Sequence, residues 1–331
     1  QADVVEIGRA MLADPYLAKK ALCGCAEDIT PCLRCYECFG ETGTSETVKC
    51  SVNPTMGQQL PEKYGRPEPE MKKRVLIVGG GPAGMQAALT AAARGHQVTL
   101  AEKADRLGGN LYAASAPYFK KDIADFCEVM KKRVARSAVE VRLNTEVTPE
   151  FVEAFDPDAL IVAIGSKELV PRIKGIDGAN VVMAADAELH PEKLGKRVAI
   201  MGGGLVGTEA AVSFAREGKT CAVIEMRDQV AADANSFYRG GLMPEVEKSA
   251  EIYTNTMVKE VTENGVLCER GGEELLIEAD SVVCALGYRS EYDKVDALCE
   301  KVDESYVIGD CSKVGLIYHA VNQGYYTAVR L

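Results

Sequence analysis

Arg74-Val75-Leu76-Ile77-Val78-Gly79-Gly80-Gly81-Pro82-Ala83-Gly84 runs from an apolar segment of strand length directly into a glycine loop. An unbroken apolar run of this kind predicts a strand covered on both faces, as in a parallel sheet. A helix is expected from Met85 to Arg94, with Gly95 as its stop, and Gln97-Val98-Thr99-Leu100-Ala101-Glu102 as the next strand. Adding 123 to each number gives the same pattern again. Arg197–Met201 is the strand, Gly202-Gly203-Gly204-Leu205-Val206-Gly207 opens the helix, Gly218 ends it, and Thr220–Glu225 follows. Gly79, Gly84, Gly95 and Glu102 fall on Gly202, Gly207, Gly218 and Glu225 without slip, so the chain carries an internal duplication. The copies also end alike, in the apolar runs Asp158–Gly165 and Asp280–Gly287.

One G-x-G-x-x-G is weak evidence. Here each lies between a strand and a helix, with an acidic residue 18 positions after its last glycine. That context defines a dinucleotide-binding unit. Gly79 and Gly202 make the turn, Gly81 and Gly204 let backbone meet a pyrophosphate, and Gly84 and Gly207 let helix pack on strand. Glu102 and Glu225 are expected to accept hydrogen bonds from an adenosine ribose. The helix N-termini supply amide donors and positive partial charge. The first copy is followed by Arg106-Leu107-Gly108-Gly109, and a late Gly309-Asp310 precedes a helix expected over 314–331. The Asp310 carboxylate suits a ribityl hydroxyl. The first copy, with Gly109, therefore reads as an FAD site. The second reads as the site of a nicotinamide nucleotide, NADH in preference to NADPH because Glu225 stands where a 2′-phosphate would lie.

Upstream, six of the twelve cysteines fall between Cys23 and Cys50. Cys32, Cys35, Cys38 and Cys50 are spaced C-x2-C-x2-C-x11-C. Two successive three-residue steps let one tight loop carry three thiolates around a cubane, with a fourth arriving later. Structural zinc usually takes two separated pairs, and no second pair or nearby histidine is present. The spacing favours a [4Fe–4S] cluster, with zinc as the alternative. Cys23 and Cys25 are read as spare, and Cys127, Cys221, Cys268, Cys284 and Cys299 as small buried hydrophobes.

Composition narrows the rest. Of 331 residues, 47% are hydrophobic and 26% charged, which is globular rather than disordered. A net charge of −11 argues against nonspecific nucleic-acid binding. No apolar run approaches the roughly 20 residues of a membrane-spanning helix, and no signal peptide is visible. A cytoplasmic, membrane-free protein is expected, with no nucleic-acid partner; a homo-oligomer is compatible with the sequence. Gln1–Gly8 reads as a strand running into a turn, so the chain is expected to be a fragment.

Residues 73–331 resemble the flavoproteins of the disulfide reductase type, which insert one dinucleotide domain into another. The redox cysteine pair of those enzymes is missing, since no cysteine lies between Cys50 and Cys127. Val4-Val5-Glu6-Ile7-Gly8-Arg9-Ala10-Met11-Leu12-Ala13-Asp14-Pro15 is similar to the last strand and phosphate loop of an old-yellow-enzyme TIM barrel. In that family the pair corresponding to Gly8 and Arg9 holds the FMN phosphate. The whole chain thus resembles the C-terminal part of the 2,4-dienoyl-CoA reductase, enoate reductase and trimethylamine dehydrogenase family.

The resemblance implies an α/β architecture of two Rossmann-like domains behind a barrel remnant. The expected layout is barrel end 1–30, iron–sulfur loop 31–57, linker 58–72, FAD domain 73–180 with 288–331, and NAD(P) domain 181–287. It also implies an oxidoreductase that passes hydride from NADH to FAD and electrons through [4Fe–4S] to FMN. A small-molecule substrate with an activated C=C bond would be reduced on the barrel, and no catalytic residue is assigned here. The rivals are an amine dehydrogenase of the same family, a stand-alone electron-transfer subunit and a binding module without turnover.

Overall fold

Val75 and Ile77 pack into one buried cluster with the helix Pro82–Ala93, while Leu76 and Val78 pack into another with Val152 and Phe155. A strand with no wet face must be uniformly apolar, and this one is. Val198 and Ile200, against Ala199 and Met201, repeat the arrangement in the second copy.

The computed structural model describes residues 3–40, 48–57 and 68–331. Two compact units divide the chain. One comprises Gln1–Tyr112, Asp122–Lys167 and Arg289–Leu331; the other comprises Ala113–Lys121 and Glu168–Tyr288. The chain thus enters the inserted unit at Glu168, earlier than the expected residue 181. Ile173 and Ile176 explain the difference, since both pack against the core of the inserted unit. The short segment 113–121 also groups with that unit. Most of the expected linker, residues 58–67, lies outside the described residues.

The first unit holds a five-stranded parallel sheet in the order Ser305–Val307, Ala159–Val162, Arg74–Val78, Gln97–Ala101, Glu140–Arg142. The second holds Val181–Met183, Ser281–Cys284, Arg197–Met201, Thr220–Ile224, Ala250–Tyr253, also parallel. The spatial order is the same. Only the source of the outermost strand differs: it comes last in the first copy and first in the second. A three-stranded antiparallel sheet, Thr256–Thr262, Gly265–Arg270 and Glu273–Glu278, is added to the second unit. These are two Rossmann-like domains, as the duplication predicts.

The first loop helix starts at Pro82 instead of Met85, because proline suits the first helical position, where no N–H is needed. The closing helix, Ile317–Ala328, is shorter than expected at both ends. A Cβ on its Gly324 would stand 2.4 Å from the Ala83 carbonyl oxygen, so the alanine-rich helix and the closing helix meet almost backbone to backbone.

The expected strand over Val4–Ile7 is not formed. Val4 and Val5 are 85% and 72% exposed, and among the described residues no strand pairs with them. A barrel strand is held by neighbours on both sides, and none is present here. The segment leads into short helices at Arg9–Ala13 and Leu17–Leu22. Among the described residues no helix is long and apolar enough to cross a membrane.

Candidate functional site

The glycine loops separate into positions the chain itself requires and positions it leaves open. Gly79 and Gly202 sit at φ +107° and +104°, the left-handed region that favours glycine. A Cβ on either would come within 2.3 Å or 2.4 Å of a carbonyl oxygen, from Ala163 and Ala285 respectively. A Cβ on Gly84 or Gly207 would stand 1.9 Å or 2.0 Å from the oxygen of Gly79 or Gly202. Gly81 and Gly204 are different. Their φ values, −73° and −69°, suit any residue, and a Cβ on either would meet nothing within 4 Å. Each caps the N-terminus of its helix. The open space lies where backbone amides would face a pyrophosphate.

Glu102 and Glu225 end their strands as expected, and both are buried. Each also does something the motif did not announce. Glu102 Oε2 accepts the Gly80 N–H at 2.6 Å and Oε1 the Ala104 N–H at 2.8 Å. Glu225 repeats this with Gly203 at 2.8 Å and Arg227 at 2.8 Å. The carboxylate thus braces the loop. A carboxylate has about four lone-pair sites, so acceptor capacity is left for ribose hydroxyls.

Gly109 approaches the first loop: its Cβ would lie 3.2 Å from the Gly81 Cα, and the neighbouring Gly108 N–H donates to Gly80 O at 2.9 Å. Asp310 accepts from Ser166 Oγ at 3.2 Å and from the Gly315 N–H at 3.1 Å. A Cβ on the preceding Gly309 would touch Ala83 at 3.1 Å. The first unit therefore gathers Gly79, Gly81, Gly84, Glu102, Gly109 and Asp310 at one end of its sheet.

Cys32, Cys35, Cys38 and Cys50 line one hollow together with Arg9 and Ser51. Burial pushes the Cys50 thiol up to about 11, with Cys35 and Cys32 adding to the rise. Burial also raises Cys38, and the same two neighbours contribute. Arg34 and Tyr36, on either side of Cys35, adopt left-handed φ of 54° and 61°. Such strain persists where a site requires it, and alternating backbone of this kind forms concavities for anions and iron–sulfur groups. Among the described residues no three His, Cys, Asp or Glu side chains converge to hold a single metal ion. The thiols surround a space instead.

That loop is tied to the first unit. Asn322 Nδ2 donates to Cys50 O at 3.2 Å, and the Tyr326 hydroxyl to Pro54 O at 3.3 Å, both from the closing helix. Arg133 donates to Thr30 Oγ1 at 2.5 Å, and Arg136 holds both Asp28 oxygens at 2.7 Å. Gly8 precedes the helix Arg9–Ala13, and the Arg9 side chain turns toward the thiols. Elsewhere the bland reading of the cysteines agrees with the structure for four of five: Cys127, Cys221, Cys268 and Cys284 are buried, burial pushes Cys221 up to about 12, and Cys299, near the end of its helix, is only half-buried.

Sequence reading missed a polar group in the second unit. Lys120 Nζ pairs with Glu209 at 2.6 Å, Tyr238 donates its hydroxyl to Glu209 at 2.7 Å, and the Lys120 ammonium lies 4.9 Å over the Tyr238 ring. Glu209, two residues after Gly207, was visible in the motif; Lys120, 89 positions away, carried no signal. Beside them, burial and then the Glu209 and Glu217 charges push Glu188 up to about 8. A folded-state value above the ordinary 4.5 means the native state binds the extra proton. Stability from this group is full below about pH 4.5 and is lost as pH rises toward 8. The Tm advantage of Glu188→Gln over wild type is therefore expected to grow between pH 5 and 8. Parallel Tm curves for the two proteins across that range would contradict it.

Residues 73–324 match the pyridine nucleotide-disulphide oxidoreductase family. The chain is 34% identical to cinnamate reductase of Clostridium sporogenes over 99% of its own length and 50% of that protein's. It is 36% identical to NADH oxidase of Thermoanaerobacter brockii, over 99% and 52%. Among solved structures it is similar to 2-naphthoyl-CoA reductase in complex with 2-naphthoyl-CoA, at TM-score 0.91 and 34% identity, covering 99% of this chain and 50% of that one. The chain thus spans about half the length of these relatives.

Proposed function

The chain belongs to the pyridine nucleotide-disulphide oxidoreductase family, and from that membership we propose that it is the electron-input part of an NAD(P)H-dependent flavin and iron–sulfur oxidoreductase. The observation that carries this reading is the closing helix. It follows Asp310 in the first dinucleotide unit, and its own Asn322 and Tyr326 grip the cysteine loop. One rigid element thereby serves both sites.

Gly79, Gly81, Gly84, Glu102, Gly109 and Asp310 would hold FAD. Gly202, Gly204, Gly207 and Glu225 would hold the nicotinamide nucleotide. Cys32, Cys35, Cys38 and Cys50 fit a [4Fe–4S] cluster better than one zinc ion, because two successive C-x2-C steps in one loop with a fourth cysteine later suit a cubane, and among the described residues no three ligands converge on a single ion. The chemistry supplied by these groups when bound would be the cofactors' own, hydride acceptance by a flavin and single-electron transfer by a cluster. The protein's share is to place them: the loop amides would face phosphate, the glutamates brace the loops, and the cysteine loop brings four half-buried thiols to one hollow.

In the whole protein FMN would lie beyond Gly8, and the substrate would carry an activated C=C bond. The names of the cinnamate and 2-naphthoyl-CoA reductases support that class.

The test is anaerobic reconstitution of this chain with iron, sulfide and FAD. About four iron and one FAD per chain are expected, with NADH-driven reduction of an artificial dye and no reduction of cinnamate. Stoichiometric zinc in place of iron, failure to bind flavin, or cinnamate reduction by this chain alone would each overturn the proposal.

A further inference from the structure

Arg9 is read from the sequence as a phosphate residue, and its side chain has a second neighbourhood. It lines the hollow of the four cysteines, and its guanidinium carbon sits 4.5 Å over the Tyr36 ring, between Cys35 and Cys38 in sequence. Its Nη1 is buried and, among the described residues, has no hydrogen-bond partner. A guanidinium keeps its proton and carries only donors. A buried donor without an acceptor is costly, and more so when charged. Among the described residues no acceptor faces this atom, although the hollow beside it is lined with sulfur. A hydroxyl stands at the same hollow: Ser51, buried, lies 3.2 Å from Cys35 Sγ and can donate to it once that sulfur is a thiolate.

We propose that Arg9 is a positioning residue for the iron–sulfur centre, its buried Nη1–H donating to a sulfur of that centre and its fixed charge setting the centre's reduction potential. The proposal rests on the reading that Cys32, Cys35, Cys38 and Cys50 hold such a centre. Reduction adds one negative charge. A cation fixed at the hollow stabilises the reduced form more than the oxidised one, and hydrogen bonds to sulfur act in the same direction. Removing Arg9 therefore lowers the potential. The Ser51 hydroxyl is neutral and has the smaller effect. Arg34 is the natural control. It lies within the cysteine loop itself, but its side chain is 57% exposed and paired with Asp122 at 2.5 Å, so solvent and partner screen its charge.

The experiment is a redox titration of the iron-loaded full chain, followed by absorbance and electron paramagnetic resonance, with iron counted in each variant. Arg9→Met is expected to make the centre about tenfold harder to reduce, a shift of about 59 mV for one electron. Arg9→Lys keeps the charge without the fork and should shift part of the way; Arg34→Met should not shift. If Arg9→Met does not retain iron, Arg9→Lys carries the comparison. Iron-loaded Arg9 variants titrating at the wild-type potential would overturn the proposal and return Arg9 to the phosphate. A shift as large in Arg34→Met as in the Arg9 variants would also overturn it, by showing a diffuse charge effect. Wild type that takes zinc and no iron would instead remove the reading beneath it, so the two failures are distinguishable.

Discussion

Gly81→Val and Gly204→Val are expected to leave the protein folded and to remove one dinucleotide each. Neither position needs glycine for the chain's own sake: φ is ordinary, and a Cβ would meet no protein atom within 4 Å. A valine there projects into the space where a pyrophosphate would meet the helix N-terminus. The Gly81 variant should lose FAD absorbance while keeping a wild-type apoprotein melting temperature. The Gly204 variant should keep FAD and lose NADH-driven dye reduction. Gly84→Val and Gly207→Val are the contrast. Their Cβ atoms would lie 1.9 Å and 2.0 Å from backbone oxygens, which cannot swing aside like a side-chain tip. Overpacking of this kind costs about 1–3 kcal/mol or more, so these variants should melt earlier even without ligand. Retention of FAD by a folded Gly81→Val protein would move the flavin away from the first loop.

The same glycines show what the sequence could convey. The 123-residue offset predicted paired structure from Gly79 to Glu102 and from Gly202 to Glu225, because turn, close packing and strand end are local needs met by local residues. It could not show that Glu102 and Glu225 brace their own loops, since that depends on where a strand end lies relative to a neighbouring turn. The entry to the inserted unit was misplaced by 13 residues because Ile173 and Ile176 carry no period that assigns them to one core or the other. Val4–Ile7 failed as a strand because β structure is a property of pairs. Arg9 shows the limit most clearly. Its neighbour Gly8 fixed its reading as a phosphate residue, while its side-chain direction, toward thiols 23 or more positions away, left no trace in the sequence.

NADH is expected to be preferred to NADPH by about a thousandfold in kcat/KM. Glu225 ends the second strand, and its carboxylate is fixed by the Gly203 and Arg227 amides, so it cannot turn away from an arriving 2′-phosphate. Two like charges about 4 Å apart cost about 4 kcal/mol at an effective dielectric of 20, which is close to a thousandfold in rate. Arg227 is a nearby cation that could offset this. Its Nη1 is held by Asp233 at 2.8 Å, and its Nε faces Glu225 at 3.4 Å. To reach a phosphate it must leave both acids, and Asp233 adds a further negative charge to the approach. Glu225→Gln should therefore raise NADPH-driven dye reduction by one to two decades, while NADH-driven reduction falls, because the amide keeps a single acceptor oxygen where the carboxylate takes the Gly203 and Arg227 N–H groups. Asp233→Asn alone should help NADPH less, because that carboxylate is 84% exposed and screened. Equal kcat/KM for the two nucleotides in the wild type, measured with the FAD-loaded chain, would show that Arg227 releases its acids on binding and that Glu225 does not discriminate.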